Sequence, residues 1–395
     1  MLFDGQHETG SVGGLEDDAS VDGDDRGGRT RARRRGRQHA PPPLLHGRGW
    51  RCSQSWLREV PDLPPPGPGT ITVNVAATGI CGTDRGEIAG TDGLIPRILG
   101  HEVAGVVAAI GDPVPGVPIA VSVGDRVVLE TDAYLCRSCH WCRTEQFNRC
   151  PSRTGIGRTA DGGLAERITF RADAVHRLPE TVSLLEGALL EPLAVAVHTV
   201  LEGPFAVGPG RTVVVTGPGT MGQLVAQVAG AVGARVLVVG LDRHEKRLHT
   251  ARRNGAFAAV SAETTDVLAL INDVTGGMGA DVVFECSGAI SQAAAGLDYL
   301  GKGGKLGLVA FYKEPLTIDA KTVVHNELEA VGCRGKRASS FRTALSLLDG
   351  GRLSLSSLIG SVRPLEEWDE AIDEVGQGIK VVMAPGGAPL DNPER

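Results

Sequence analysis

No uninterrupted apolar run in this chain approaches the roughly 20 residues that cross a bilayer, and no apolar core follows a basic start at the N-terminus. Neither a membrane span nor a secretory leader is expected, so the expected location is the cytoplasm. A cationic excess is also missing: 40 Lys and Arg stand against 47 Asp and Glu, a net charge of −7, which opposes general attraction to nucleic acid. The 8 cysteines are not expected to form a disulfide framework, because a cytoplasmic compartment keeps thiols reduced. Metal binding or core packing must explain them.

Residues 1–46 lack any helical or strand period. They run from the acidic "EDDASVDGDD" through the basic "RTRARRRGR" into a proline-rich stretch. Such a composition buries too little apolar surface to order itself, and it reads as a disordered extension with no assigned function. The remaining chain, out of 395 residues, is long enough for two domains, each with its own core.

Cysteine is abundant in one place. The run "YLCRSCHWCRTEQFNRC" holds Cys136, Cys139, Cys142 and Cys150 at Cys-x2-Cys-x2-Cys-x7-Cys spacing. Four thiolates this close can converge tetrahedrally on one zinc, and four sulfurs leave no open position, which marks a structural site. An iron–sulfur cluster or a zinc ribbon also fits the spacing. The neighbourhood is not strongly basic and no second pair of cysteines repeats the pattern, so zinc is preferred.

A different set of ligand types lies elsewhere. Cys81 ends an alternating strand pattern, "ITVNVAATGI"; His101 and Glu102 follow the apolar "IPRILG"; Glu191 interrupts the apolar "ALLEPLAVAVHTV". A soft thiolate and an imidazole suit zinc, and a carboxylate within so apolar a helix is costly unless it has a partner.

The stretch "RTVVVTGPGTMGQLVAQVAGAVGARVLVVGLDRHEKR" reads as strand, glycine turn, helix and strand. Gly217, Gly219 and Gly222 spell G-x-G-x-x-G, with Thr220 and Met221 opening the helix. The first glycine permits the turn, the second lets backbone approach a pyrophosphate, and the third allows close helix packing. Met221, Leu224, Val225 and Val228 repeat at helical spacing. Asp242 follows about 20 residues after the last glycine, where a carboxylate accepts ribose hydroxyls. A Rossmann doubly wound parallel sheet binding NAD is expected. NADP is the alternative, because Arg243 and Arg247 lie close by.

Two further stretches, "ADVVFECSG" and "GGKLGLVAF", read as strands of the same sheet, with Cys286 and Cys333 as buried small residues.

These motifs together resemble the zinc-dependent medium-chain alcohol dehydrogenase family. "GHEVAGVVAAIGDPV" fits its zinc signature, with Gly100, Gly105, Gly111 and Val114 in place. "CGTD", the four-cysteine loop, "DGGLAERITF" and "EPLAVAVH" follow in the family's order, and the likeness runs from about Val60 to about Met383.

The resemblance implies a GroES-like β-rich catalytic domain at residues 47–195, completed by 326–395, around a Rossmann domain at 196–325. It implies a catalytic zinc held by Cys81, His101 and Glu191, with Glu102 as an alternating ligand or nearby anion, and a structural zinc on Cys136, Cys139, Cys142 and Cys150. Thr83 would hydrogen-bond the substrate oxygen, and Arg247 would support NAD. Where many relatives carry a relay histidine this chain has Gly86, and Glu87 is the nearest candidate for a sugar contact.

"EPLAVAVH" is similar to the sorbitol, polyol, butanediol and aminocyclitol branch, which implies oxidation of a secondary hydroxyl to a ketone. L-threonine 3-dehydrogenase, glucose 1-dehydrogenase and a non-catalytic zinc and nucleotide-binding regulator are the alternatives. A dimer or tetramer is expected by the same analogy.

Overall fold

The valine run predicted as a buried strand is one. In the computed structural model, which describes residues 29–35, 55–88 and 98–385, Thr212–Thr216 is buried at every position. It lies inside a six-stranded parallel sheet ordered Ala258–Ser261, Arg235–Gly240, Thr212–Thr216, Ala280–Glu285, Leu300–Leu308, Glu329–Gly332. Helices cover both faces of such a sheet, so its inner strands read as continuous apolar runs. Chain order reverses between Thr212–Thr216 and Ala280–Glu285, the switch point where dinucleotides bind.

Helix Thr220–Ala231 starts at this point with Gly219 as its N-cap. Gly217 has φ +90°, and a Cβ there would come 2.7 Å from Ser287 backbone; a Cβ on Gly222 would lie 1.9 Å from the Gly217 carbonyl oxygen. The first and third glycines are thus required by packing. Nothing lies within 4 Å of a Cβ placed on Gly219, which leaves room in front of the turn.

The second sheet is mixed and β-rich. Thr70–Gly79 pairs antiparallel with Glu102–Ile110 and with Arg167–Arg171, and Arg126–Leu129 and Val175–Arg177 extend the sheet. Ile71, Val73 and Val75 enter one core, whereas Ala76 and Ala77 pack into the other. A register shift between Val75 and Ala77 switches the face. At the end of this strand, Thr78 and Gly79 pair with Lys380–Met383 from the far C-terminal part of the chain. That return brings the C-terminal segment beside Cys81 and Glu102.

Three expectations change. Glu329–Gly332 pairs in parallel with Leu300–Leu308, so the nucleotide sheet continues past residue 325; this strand is a short edge strand with mostly exposed residues and gives no apolar run to read. Arg29–Arg35 is a strand paired antiparallel with Ser55–Pro61, a non-local backbone pairing that no local period announces. The rest of the 1–46 segment lies outside the described residues. Cys286 and Cys333 are half-buried rather than fully enclosed.

Candidate active site and metal centres

The four-cysteine loop closes on itself. The sulfurs of Cys136, Cys139, Cys142 and Cys150 all lie within 4.8 Å of one another, with Cys136–Cys142 at 3.9 Å and Cys136–Cys150 at 3.7 Å. Tetrahedral zinc with bonds near 2.3 Å sets its sulfurs roughly 3.8 Å apart, so the loop fits that ion without a disulfide. Local turns build this shape: Cys139 N–H donates to Cys136 Sγ and Cys142 N–H to Cys139 Sγ, each at 3.4 Å. Backbone donors from Ser138 and Cys139 lower the Cys136 thiol to about 6, whereas burial pushes Cys142 up to about 12. An uncharged enclosure thus opposes gathering four thiolates, and a cation offsets that cost.

The loop also reaches the interior. Asn148 Nδ2 donates to the Arg334 carbonyl at 3.1 Å and lies 3.4 Å from His198 Nε2. His198 belongs to helix Leu190–Leu201, which carries Glu191 in its first turn.

A second donor set is formed by Cys81, His101 and Glu102, again with ligand atoms within 4.8 Å of one another. Donors on a single zinc sit roughly 3.3–3.8 Å apart, so small adjustments suffice, and three ligands leave a position open. Local structure explains the gathering. Cys81 immediately precedes helix Gly82–Ile88, His101 immediately precedes strand Glu102–Ile110, and Gly79 pairs with Glu102.

Asp84, buried in that helix, accepts from Cys81 N–H at 2.9 Å and lies 3.4 Å from His101 Nδ1. It therefore holds the Cys81 backbone and the His101 ring together, the arrangement carboxylates take behind histidines that bind metal. Burial alone would depress the His101 imidazole, but Asp84 and then Cys81 hold it well above its usual value.

Glu191 is outside this donor set. Its carboxylate ion-pairs with the buried Lys336, whose Nζ also donates to Thr131 Oγ1 at 2.8 Å. Burial works against the charged carboxylate, yet Lys336 and then His101 bring its pKa below the ordinary value. Glu102, by contrast, is pushed up by burial against the pull of Lys380. The C-terminal strand thus supplies Lys380 to Glu102, and the segment after Glu329–Gly332 supplies Lys336 to Glu191. Both lysines are invisible to a reading of motifs, because each lies more than 140 positions from its partner.

Thr83 is exposed on helix Gly82–Ile88, and the side chains of Gly86 and Glu87 lie outside the described residues.

In the cofactor half, Asp242 is exposed just after strand Arg235–Gly240, and its N–H donates to Glu263 Oε2 at 2.7 Å. Two carboxylates therefore mark this end. Arg247 is turned elsewhere, donating to the Gly376 carbonyl, and the Thr220 hydroxyl donates to the Ile379 carbonyl. Met221 is half-buried against the core. Tertiary contact with residues 376–379 has taken up side chains that the motif alone directs toward a nucleotide.

The sequence reading also passed over Glu285. Fully buried, it accepts from Ser287 N–H at 2.7 Å, Gly288 N–H at 3.2 Å and the Tyr312 hydroxyl. It holds the turn on which Gly217 packs; the signal was an acidic residue ending an apolar strand.

Comparison with known proteins settles the family. Residues 67–180 match the alcohol dehydrogenase GroES-like domain and residues 220–350 the zinc-binding dehydrogenase domain. A sorbitol dehydrogenase of Halalkalibacterium halodurans is 34% identical over 83% of this chain and 95% of its own length. The chain belongs to the zinc-dependent medium-chain alcohol dehydrogenase family.

A D-arabitol-phosphate dehydrogenase of Enterococcus avium is 34% identical to this dehydrogenase over 79% of the chain and 89% of its own length. A zinc-binding dehydrogenase of Sinorhizobium meliloti, solved with NADP, superposes with a TM-score of 0.79 at 26% identity, covering 91% of this chain and all of that one. The fold class and the zinc and dinucleotide requirement read from the motifs stand. Among the described residues no helix is long and apolar enough to cross a membrane.

Proposed function

We propose that this dehydrogenase oxidises a secondary hydroxyl of a polyol, sugar or cyclitol to the ketone, with zinc held by Cys81, His101 and Glu102 and NAD as the hydride acceptor. One connection supports the reading above others. Thr220, at the head of the cofactor helix, is hydrogen-bonded to Ile379, and the next residue, Lys380, pairs with Glu102. The glycine turn and the open donor set are thereby linked through two consecutive residues at the C-terminal strand.

Zinc bound there supplies Lewis-acid polarisation of the alcohol, and the nicotinamide supplies the place for its hydride. The chain's own residues hold the site. Asp84 orients Cys81 and His101, Lys380 pairs with Glu102 and aims it, and Lys336 fixes Glu191 behind them as a reserve carboxylate. Thr83, two residues beyond Cys81, takes the hydrogen bond from the substrate hydroxyl. The Cys136–Cys150 loop holds a second zinc and braces Arg334 through Asn148.

Asp242 beside Glu263 disfavours a 2′-phosphate, and Arg247 is engaged by Gly376, so NAD is preferred to NADP. The polyol class agrees with the sorbitol and D-arabitol-phosphate dehydrogenases among its relatives. The expected result of a substrate screen is NAD reduction with polyols or cyclitols at least about ten-fold faster, as kcat/KM, than with L-threonine or glucose. A preference for threonine would overturn the substrate class, and a preference for NADP would overturn the cofactor assignment.

The finer domain division follows the sheets. The catalytic half comprises the mixed sheet and its returning strands, and the nucleotide half runs through Glu329–Gly332.

Among the described residues that last strand is an open edge, and Phe311, Ile318 and Val324 are exposed on the segments before it, with Phe311 71% and Val324 78% accessible. An unprotected edge with apolar neighbours favours pairing with a second copy, so the oligomer is built here. Light scattering is expected to give at least a dimer, and Ala330→Pro, which cannot donate along the edge, is expected to shift it toward monomer. An unchanged mass for the variant would place the interface elsewhere.

A further inference from the structure

Glu285 is fully buried, yet neither the metal centres nor the glycine motif uses it. A buried carboxylate is costly unless several donors meet it, and here they do. It accepts from Ser287 N–H and the Ser287 hydroxyl, from Gly288 N–H at 3.2 Å to either oxygen, and from the Tyr312 hydroxyl.

These donors come from two segments. Ser287 and Gly288 follow Ala280–Glu285 itself, whereas Tyr312 follows Leu300–Leu308, the next strand of the sheet. The segments also meet through their backbones. Val309 and Ala310 N–H donate to the Glu285 carbonyl at 2.9 and 3.2 Å, and a Cβ on Gly288 would come 3.2 Å from the Phe311 carbonyl oxygen. Burial and then Glu285 push the Tyr312 phenol up, so its hydroxyl keeps the proton it donates. One residue thus ties both segments together at the carboxyl ends of neighbouring strands.

A dinucleotide lies across the switch point of such a sheet. On the cofactor reading above, its pyrophosphate meets the glycine turn after Thr212–Thr216, and Asp242, after Arg235–Gly240, receives the adenosine ribose. Arg235–Gly240 and Ala280–Glu285 flank Thr212–Thr216 on opposite sides, so the nicotinamide half passes over the ends of Ala280–Glu285 and Leu300–Leu308. There Ser287 packs against Gly217, which joins the tied segments to the turn.

We propose that Glu285 and Tyr312 form a clamp that positions segments 286–288 and 309–312 as the floor of the nicotinamide subsite. The clamp sets affinity for the nicotinamide end of the cofactor and leaves the adenosine end unaffected. Glu285 is a positioning residue: its carboxylate is enclosed and acts through the two segments it holds. The proposal rests on the NAD reading above and deepens it.

Calorimetry on the zinc-loaded protein with NADH and with ADP-ribose tests it, because ADP-ribose carries the adenosine half and both phosphates but no nicotinamide. Tyr312→Phe removes one hydroxyl and keeps the ring. It is expected to weaken NADH binding at least about five-fold, and Glu285→Ala at least about ten-fold, with ADP-ribose binding within about two-fold of the parent in both. Glu285→Gln keeps an acceptor for Ser287 N–H and turns an amide toward Tyr312, so it is expected to recover most of the NADH affinity lost in Glu285→Ala. Tyr312→Phe decides alone if Glu285→Ala does not fold.

Equal weakening of NADH and ADP-ribose, or NADH binding unchanged in Tyr312→Phe, would overturn the clamp while leaving the NAD reading in place. A parent that binds NADPH more tightly than NADH would instead remove the NAD reading, and NADPH against 2′-phospho-ADP-ribose then gives the same comparison for the clamp.

Discussion

Cys81→Ala is expected to lower turnover on the order of 10³-fold or more while leaving the melting temperature within about 2 °C of the parent. Removing one of three ligands empties the open site, and the Lewis-acid contribution lost with the ion is several kcal/mol, at 1.36 kcal/mol per factor of ten. Cys81 is only half-buried, and its loss opens no sizeable cavity, so folding and NADH binding survive.

Cys136→Ser should do the reverse. Its sulfur lies among three others at the centre of a loop whose own apolar cluster is small, Leu135 with the cysteines and Phe147. Such a cluster depends on the metal for stability. Loss of about 3 kcal/mol corresponds to a fall in melting temperature of roughly 6–12 °C, and turnover measured well below that temperature should fall far less than in Cys81→Ala. Metal analysis completes the test, with two zinc ions per parent chain and one in each variant. A parent with one zinc, or equal melting temperatures for the two variants, would contradict the division between a working and a bracing metal.

Lys380→Met is expected to cost about 3–5 kcal/mol in urea denaturation of the metal-free protein, because it leaves the Glu102 carboxylate buried without its partner. Lys380 is 3% and Glu102 1% exposed, so water cannot replace the lost ammonium. Burial would lower the lysine's pKa, but Glu102 and then Cys81 outweigh it and raise that pKa, which holds Lys380 as the ammonium. Methionine fills similar volume, so the loss reflects charge more than packing.

Adding Glu102→Gln to Lys380→Met should recover at least about half of the loss, since the uncompensated charge is then gone. Zinc should also recover part of it in the single variant, because the cation takes the place of the ammonium opposite Glu102. A single-variant cost below about 1 kcal/mol would show that the pair is not the buried contact described above.

Local chemistry made much of this protein readable from its sequence. The four cysteines fall within one short loop, so their spacing nearly determines their convergence. The glycine turn is in part local: the Gly217 carbonyl occupies the space of a Cβ on Gly222, whereas Gly217 itself is needed because Ser287, far along the chain, packs against it. The types of the open ligands, a thiolate, an imidazole and carboxylates, were readable too.

Which carboxylate joins the set was not. Glu102 and Glu191 are distinguished by the ammonium groups beside them, and Lys380 and Lys336 come from strands and turns far along the chain. The same holds for Arg247 and Thr220, whose side chains residues 376–379 take up, and for Arg29–Arg35, whose strand exists only through pairing with Ser55–Pro61. The sequence by itself determined the family, the four-cysteine loop and the nucleotide turn, because neighbours in the chain form them. The tertiary structure alone decided the partners of the buried charges, because the energy of a buried charge depends on what the fold places within a few ångströms of it.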